Sequence, residues 1–149
     1  MFTCRRLSEG DLSAYRAMNA VFSDAFDEPA TYADLPPTDA YADRWLANPD
    51  NVAVIAEKDG EAVGALAGYV LHKFEQDCAE LYIYDIAVLD EHRRKGVASA
   101  LLDETRRIAR ENGAWTIFVQ AEEGDAPPLA LYRKQSVREL VAHHFDLHP

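Results

Sequence analysis

Asp85-Ile86-Ala87-Val88-Leu89-Asp90-Glu91-His92-Arg93-Arg94-Lys95-Gly96-Val97-Ala98-Ser99-Ala100-Leu101-Leu102 is the stretch on which the architecture of this 149-residue chain turns. Its apolar start continues a run from Glu80 to Leu89 that holds two tyrosines, two isoleucines and a valine, the most strand-like segment in the chain. A basic loop follows. Gly96 then opens a helix lasting to Asn112, with Ala98, Leu101, Thr105 and Ile108 on one face and Gly113 as its C-terminal cap. A strand, a cationic loop and a small residue at a helix start make an anion site: the first helical amides have no internal partner and the helix dipole favours negative charge there. Gly96 lets a phosphate approach the backbone closely. Arg93, Arg94 and Lys95 are three consecutive cations in a chain of formal net charge −11. A pyrophosphate suits such a loop, although the same residues also suit a basic turn before an ordinary amphipathic helix.

Outward from this stretch, helices and strands alternate. Phe2–Leu7 reads as a first strand. Ser8 and Asp11 resemble a capping box before a helix over roughly Glu9–Phe26, which Asp27-Glu28-Pro29 ends. Pro36-Pro37-Thr38-Asp39 starts a second helix carrying Tyr41, Trp45 and Leu46, closed by Pro49. Asn51–Glu57 and Glu61–Lys73 read as a hairpin across Asp59-Gly60. Thr116–Ala121 is a further strand, Pro127–Gln135 a helix, and Val137–Asp146 can supply final strands. The class is α/β or α+β with a mixed sheet. No linker or repeat divides the chain, so one domain over 1–149 is expected.

The acidic balance argues against nucleic acid and anionic membrane as partners and fits a cationic one, or a soluble surface alone. Cys4 and Cys78 are too few for a disulfide framework, and no Cys/His cluster offers metal-ligand spacing. The N-terminus lacks a signal-peptide core and no apolar run approaches a membrane span, so a cytoplasmic protein is expected.

Neither the Gly-Lys-Ser/Thr phosphate loop nor the GxGxxG dinucleotide pattern is present. Arg93-x-x-Gly96-x-Ala98 instead resembles the acyl-CoA pyrophosphate loop of the Gcn-related N-acetyltransferase superfamily. The stretches Gly64–Gln76 and Glu80–Val88, Gly124-Asp125 with Ala130-Leu131-Tyr132, and His144-Phe145-Asp146 resemble type I aminoglycoside 3-N-acetyltransferases. The resemblance implies the acyl-CoA N-acyltransferase fold: a mostly antiparallel mixed sheet, flanked by helices, with a splayed strand pair that binds acetyl-CoA. It implies that the backbone of Ile86, Ala87 and Val88 holds the thioester and pantetheine, and that Arg93, Arg94, Lys95, Gly96, Val97, Ala98 and Ser99 hold the pyrophosphate. It implies that Tyr132, beside the cofactor sulfur, is the general acid; a phenol can protonate a departing thiolate.

Asp85 interrupts an apolar strand, where a charge needs a partner or a task. It is the candidate base for the acceptor amine, with Glu80 in reserve; a structural ion pair is the other reading. Strand alternation sets Asp85 beside Leu81, Ile83 and Ala87, opposite Glu80, Tyr82 and Tyr84, unless a bulge intervenes. Glu122, Glu123 and Asp125, with Asp85, can form an acidic pocket for a polycation. Asp146 and the segment Asp24–Tyr32 are further candidates for the acceptor side. Two features depart from the superfamily: Ser136 follows the tyrosine motif where many members have Gly, and Glu122-Glu123 stands where many have Asn. The reading expects acetyl transfer to the 3-amino group of a gentamicin-like aminoglycoside by direct attack in a ternary complex, and a homodimer. A polyamine, another small amine or a protein N-terminus is the alternative acceptor, and a non-catalytic acyl-CoA-binding module the alternative class.

Overall fold

The computed structural model describes residues 1–149, in two compact units, residues 1–119 and 120–149. The first unit carries β1 (Thr3–Arg6), α1 (Leu12–Phe26), α2 (Pro29–Tyr32), α3 (Asp39–Ala47), β2 (Asn51–Lys58), β3 (Glu61–His72), β4 (Ala79–Val88), a 3₁₀ turn at Asp90–His92, α4 (Val97–Glu111) and β5 (Ala114–Val119). The strands form one sheet in the order β1-β2-β3-β4-β5, antiparallel through β4 and parallel between β4 and β5.

Local chemistry explains most boundaries. α1 begins three residues beyond the predicted Glu9, because the Asp11 carboxylate accepts the Ser8 amide at 2.8 Å and closes a separate turn through Gly10, at φ +88°. Pro29 does not merely end α1, as the sequence suggested; it starts α2, where its fixed φ suits the first helical position and its missing N–H costs nothing. Thr38 caps α3, its hydroxyl accepting the Tyr41 amide. Asp59 and Gly60, both at positive φ, make the tight β2–β3 turn.

The sheet is sandwiched. On one face, Tyr15, Met18, Val21 and Phe22 of α1 and Ala42 and Leu46 of α3 pack with Ala53, Ile55, Ala65 and Ala87. On the other, α4 buries Val97, Leu101, Leu102 and Ile108, each contributing roughly 1.5–3 kcal/mol. Gly64 permits this approach: a Cβ there would lie 2.8 Å from Val97 Cγ1. The buried Thr105 is satisfied by donating to the Leu101 carbonyl at 2.8 Å.

The second unit holds α5 (Ala126–Gln135), which follows a turn through Gly124 and has Pro127 in its first turn. Ser136 ends it in extended conformation, so the helix stops without the left-handed residue that a glycine favours. Residues 137–149 form no strand, contrary to expectation. A strand needs a ladder partner, and this segment finds none; Val137, Leu140, Val141, Phe145 and Leu147 are left exposed.

Candidate active site

Two features of β4 shape the site. The first is an open edge. β4 pairs with β5 from Ala79 to Ile83 and no further, since β5 ends at Val119. Beyond that point only β3 pairs with β4, so the two parallel strands part. The Leu89 amide donates to the Val63 carbonyl, so by alternation Ala87 bonds toward β3 while the amides and carbonyls of Ile86 and Val88 face the open edge. An edge amide beside a thioester is the donor that an oxyanion needs. Of the three residues predicted to line this edge, the geometry turns Ile86 and Val88 toward it and Ala87 into the ladder.

The second feature is a bulge. Ala67 pairs with Asp85 but the next residue, Gly68, pairs with Ile83, leaving Tyr84 as the extra residue. Alternation restarts there. Asp85 therefore shares a face with Ala67 and Ala87, beneath α1 and α2, and not with Leu81 and Ile83, which are buried on the α4 side. This corrects the uninterrupted alternation. Gly68 makes the bulge possible, for a Cβ would stand 2.4 Å from the Tyr82 carbonyl oxygen.

Asp85 is half-buried and its partner is a neutral phenol: Tyr32 donates to Oδ2 at 2.8 Å. Burial pushes the Asp85 carboxyl above the ordinary aspartate range, Glu28 pushes the same way, and the Tyr32 hydrogen bond opposes them. Glu80 differs. Lys73 Nζ reaches its carboxylate at 3.2 Å and that of Glu75 at 2.8 Å, so Glu80 shares a cationic partner that Asp85 lacks. Rings line the same face. Trp45 meets Tyr69, Tyr69 meets Tyr84, Tyr84 meets Tyr82, and Tyr82 stacks on Phe118 with centroids 4.8 Å apart. Only the bulge brings Asp85 onto the face of this aromatic floor, and it leaves no mark in hydrophobic periodicity.

The loop from β4 to α4 combines exposed cations with an uncapped helix start. α4 has Gly96 at its N-cap, no side-chain cap and no acidic residue in its first turn. Gly96 (φ 86°) and Arg94 (φ 57°) are both left-handed, which curls the loop around the helix start. Arg94 and Lys95 are exposed cations. Arg93 is committed within the loop: Nε donates to the Val88 carbonyl at 3.2 Å and the guanidinium pairs with Asp90 at 2.9 Å. Val97, Ala98 and Ser99 form the first turn of α4. An edge strand leading into such a loop fits an extended acyl carrier that ends in a pyrophosphate.

The other predicted residues lie in the second unit. Tyr132 is half-buried on α5, Glu122, Glu123 and Asp125 lie in and after the turn that precedes it, and Asp146 lies in the exposed terminal segment, with His144 3.0 Å from its carboxylate.

A mixed sheet that parts beside a basic helix start defines the acyl-CoA N-acyltransferase fold. The Acetyltransferase (GNAT) family matches residues 16–136, and the chain belongs to it. An aminoglycoside acetyltransferase from an uncultured soil metagenomic sample is 40% identical and superimposes with a TM-score of 0.96, over 100% of this chain and 99% of that one. A second soil metagenomic aminoglycoside acetyltransferase, solved with sisomicin, is 25% identical with a TM-score of 0.86, over 99% of this chain and 97% of its own. An N-alpha-acetyltransferase of Sulfurisphaera tokodaii is 28% identical across 61% of this chain, and the match spans only 59% of that relative.

Proposed function

We propose that this protein transfers acetyl from acetyl-CoA to an amine of an aminoglycoside, by direct attack within a ternary complex. The observation that carries the reading is the open edge of β4 running into the α4 loop with Asp85 beside it. In this scheme the amides of Ile86 and Val88 bind the acyl arm, Arg94, Lys95 and the first turn of α4 bind the pyrophosphate, and Arg93 holds the loop against the strand. Asp85 takes the proton of the acceptor ammonium, and Tyr132 keeps the role of proton donor to the thiolate that the resemblance implies. Burial and the Glu104 carboxylate hold the Cys4 thiol up and protonated, which supports direct attack over an acyl-cysteine route. The two soil aminoglycoside acetyltransferases support the acceptor class, and the 3-amino position rests on the sequence resemblance. Acetylation removes a cationic donor from the drug and so weakens its hold on anionic RNA.

A protein N-terminus is the second reading, favoured by the Sulfurisphaera N-alpha-acetyltransferase match; a polyamine is the other small-amine alternative, resting on the acidic residues alone. Thiol release from acetyl-CoA separates them, with gentamicin, sisomicin, spermidine, a peptide and no acceptor in parallel. Release with the two drugs alone supports the proposal, and NMR of the product gives the acetylated nitrogen. Release only with spermidine or peptide overturns the acceptor. No release, with acetyl-CoA still bound, leaves a binding module. We also assign a homodimer: β5 has a free outer edge, and residues 137–149 offer an exposed apolar strand's worth of unpaired backbone, so two copies can satisfy one another.

A further inference from the structure

We propose that Tyr32 is a positioning residue which, by holding Oδ2 of Asp85, leaves Oδ1 as the oxygen that receives the proton of the acceptor ammonium. The inference rests on the reading of Asp85 as the base. Its footing is geometric. The Tyr32 hydroxyl donates to Oδ2 at 2.8 Å, and an oxygen whose negative charge is already stabilised by a hydrogen bond is the less basic of the two.

The phenol is held from three directions. Its ring packs against Phe22 and Phe26, with centroids 5.5 and 5.8 Å away. Its amide donates to the Glu28 carbonyl, as does that of Thr31. Pro29 stiffens the turn between them. Tyr32 is also a fixed donor: burial and the Asp85 carboxylate push its own ionisation far above the ordinary tyrosine range. It therefore never accepts the ammonium proton and never repels the Asp85 charge.

The surroundings make one-sided solvation of Asp85 consequential. Glu28 faces it from the turn before α2, Tyr69 from β3 and Tyr82 from β4, while Tyr84 acts on the Tyr32 phenol; the partner at hydrogen-bond distance is a phenol and not a cation. Burial and Glu28 both favour the protonated acid, and Tyr32 alone opposes them. The carboxylate is thereby kept ionised enough to accept a proton while remaining more basic than an exposed aspartate. In the step, the ammonium N–H passes its proton to Oδ1, giving a neutral amine and a neutral carboxylic acid. The nitrogen lone pair then bonds the acetyl carbon of acetyl-CoA, the carbon–sulfur electron pair leaves with the thiolate, and of the two protons the nitrogen has lost, one ends on sulfur and one in solvent.

The test is Tyr32→Phe, which keeps the ring against Phe22 and Phe26 and removes only the hydroxyl. The Asp85 carboxyl is titrated by NMR in protein labelled with ¹³C-aspartate, Asp85→Asn identifying the resonance, and pH–rate profiles are taken with gentamicin and acetyl-CoA. The expected result is that Tyr32→Phe titrates Asp85 at higher pH than the parent, moves the acid limb of kcat/KM up by the same amount, lowers kcat about tenfold, and leaves acetyl-CoA affinity unchanged. An unmoved Asp85 titration overturns the role of Tyr32. A moved titration with an unmoved acid limb, or full activity in Asp85→Asn, overturns Asp85 as the base and the proton route with it. A purely structural Tyr32 would lower stability while leaving kcat at the parent's value at pH above both midpoints, where Asp85 is ionised in either protein.

Discussion

At the residue scale, charge and backbone conformation are set against each other at two positions. Asp85 is costly where it stands. Its carboxyl is raised in the fold by burial, so the folded state binds the proton more tightly than the unfolded chain does. The stability contribution is therefore full below the ordinary aspartate range and is lost as pH rises through the raised value. Asp85→Asn should accordingly unfold at higher denaturant than the parent at pH 7, with the gap closing near pH 3, while kcat falls about 100-fold or more. Urea titrations at the two pH values read the first effect and thiol release the second. Arg94 carries the opposite trade. It sits at φ 57°, which costs a non-glycine residue about 1 kcal/mol, at a loop that presents cations. Arg94→Gly should raise stability by about that amount and weaken coenzyme A binding several-fold; calorimetric titration beside thermal melts separates the two.

At the scale of the element, β4 matters more than any single side chain on it. Its lower half is an ordinary inner strand between β3 and β5; its upper half is an edge. The change coincides with the Tyr84 bulge, which both turns Asp85 to the face beneath α1 and α2 and shifts the register against β3. Gly68 is the residue that tolerates this. Gly68→Ala forces a Cβ into the Tyr82 carbonyl, 2.4 Å away, and backbone cannot move aside as a side-chain tip would. The expected loss is about 2 kcal/mol in urea unfolding, with activity falling further than coenzyme A affinity, because the bulge orients Asp85 and leaves the α4 loop alone. The alternating pattern Leu81, Ile83 and Ala87 is visible in the sequence, whereas the slip between them is not: periodicity records which residues are apolar, and an inserted residue that is a tyrosine fits either phase.

At the scale of the molecule, two unmet demands remain on one chain. The outer edge of β5 carries unpaired backbone, and the last thirteen residues expose Val137, Leu140, Val141, Phe145 and Leu147. Pairing between two copies, in the homodimer we propose, would remove both. Sedimentation should give about twice the 16.7 kDa chain mass, and Leu140→Lys with Val141→Lys should return it to a monomer while the chain still binds coenzyme A. A parent that sediments as a monomer at micromolar concentration would sink the dimer.

The residues themselves determine the succession of elements and the basic loop before α4, because both are local. Helix and strand periods, the Asp59-Gly60 turn and the Arg93-to-Gly96 run act over a few neighbours, and the observed boundaries of β2, β3, β4 and α4 fall within a residue or so of those read from the chain. Only the tertiary structure decides what depends on distant partners. Pro29 breaks one helix and begins another, so that Tyr32 meets Asp85 across 53 positions of sequence. Arg93 ties the loop to the end of β4, because Asp90 and the Val88 carbonyl stand beside it. Residues 137–146 have the composition of strands but remain irregular, since a β-strand is defined by the backbone it pairs with and composition alone supplies no partner.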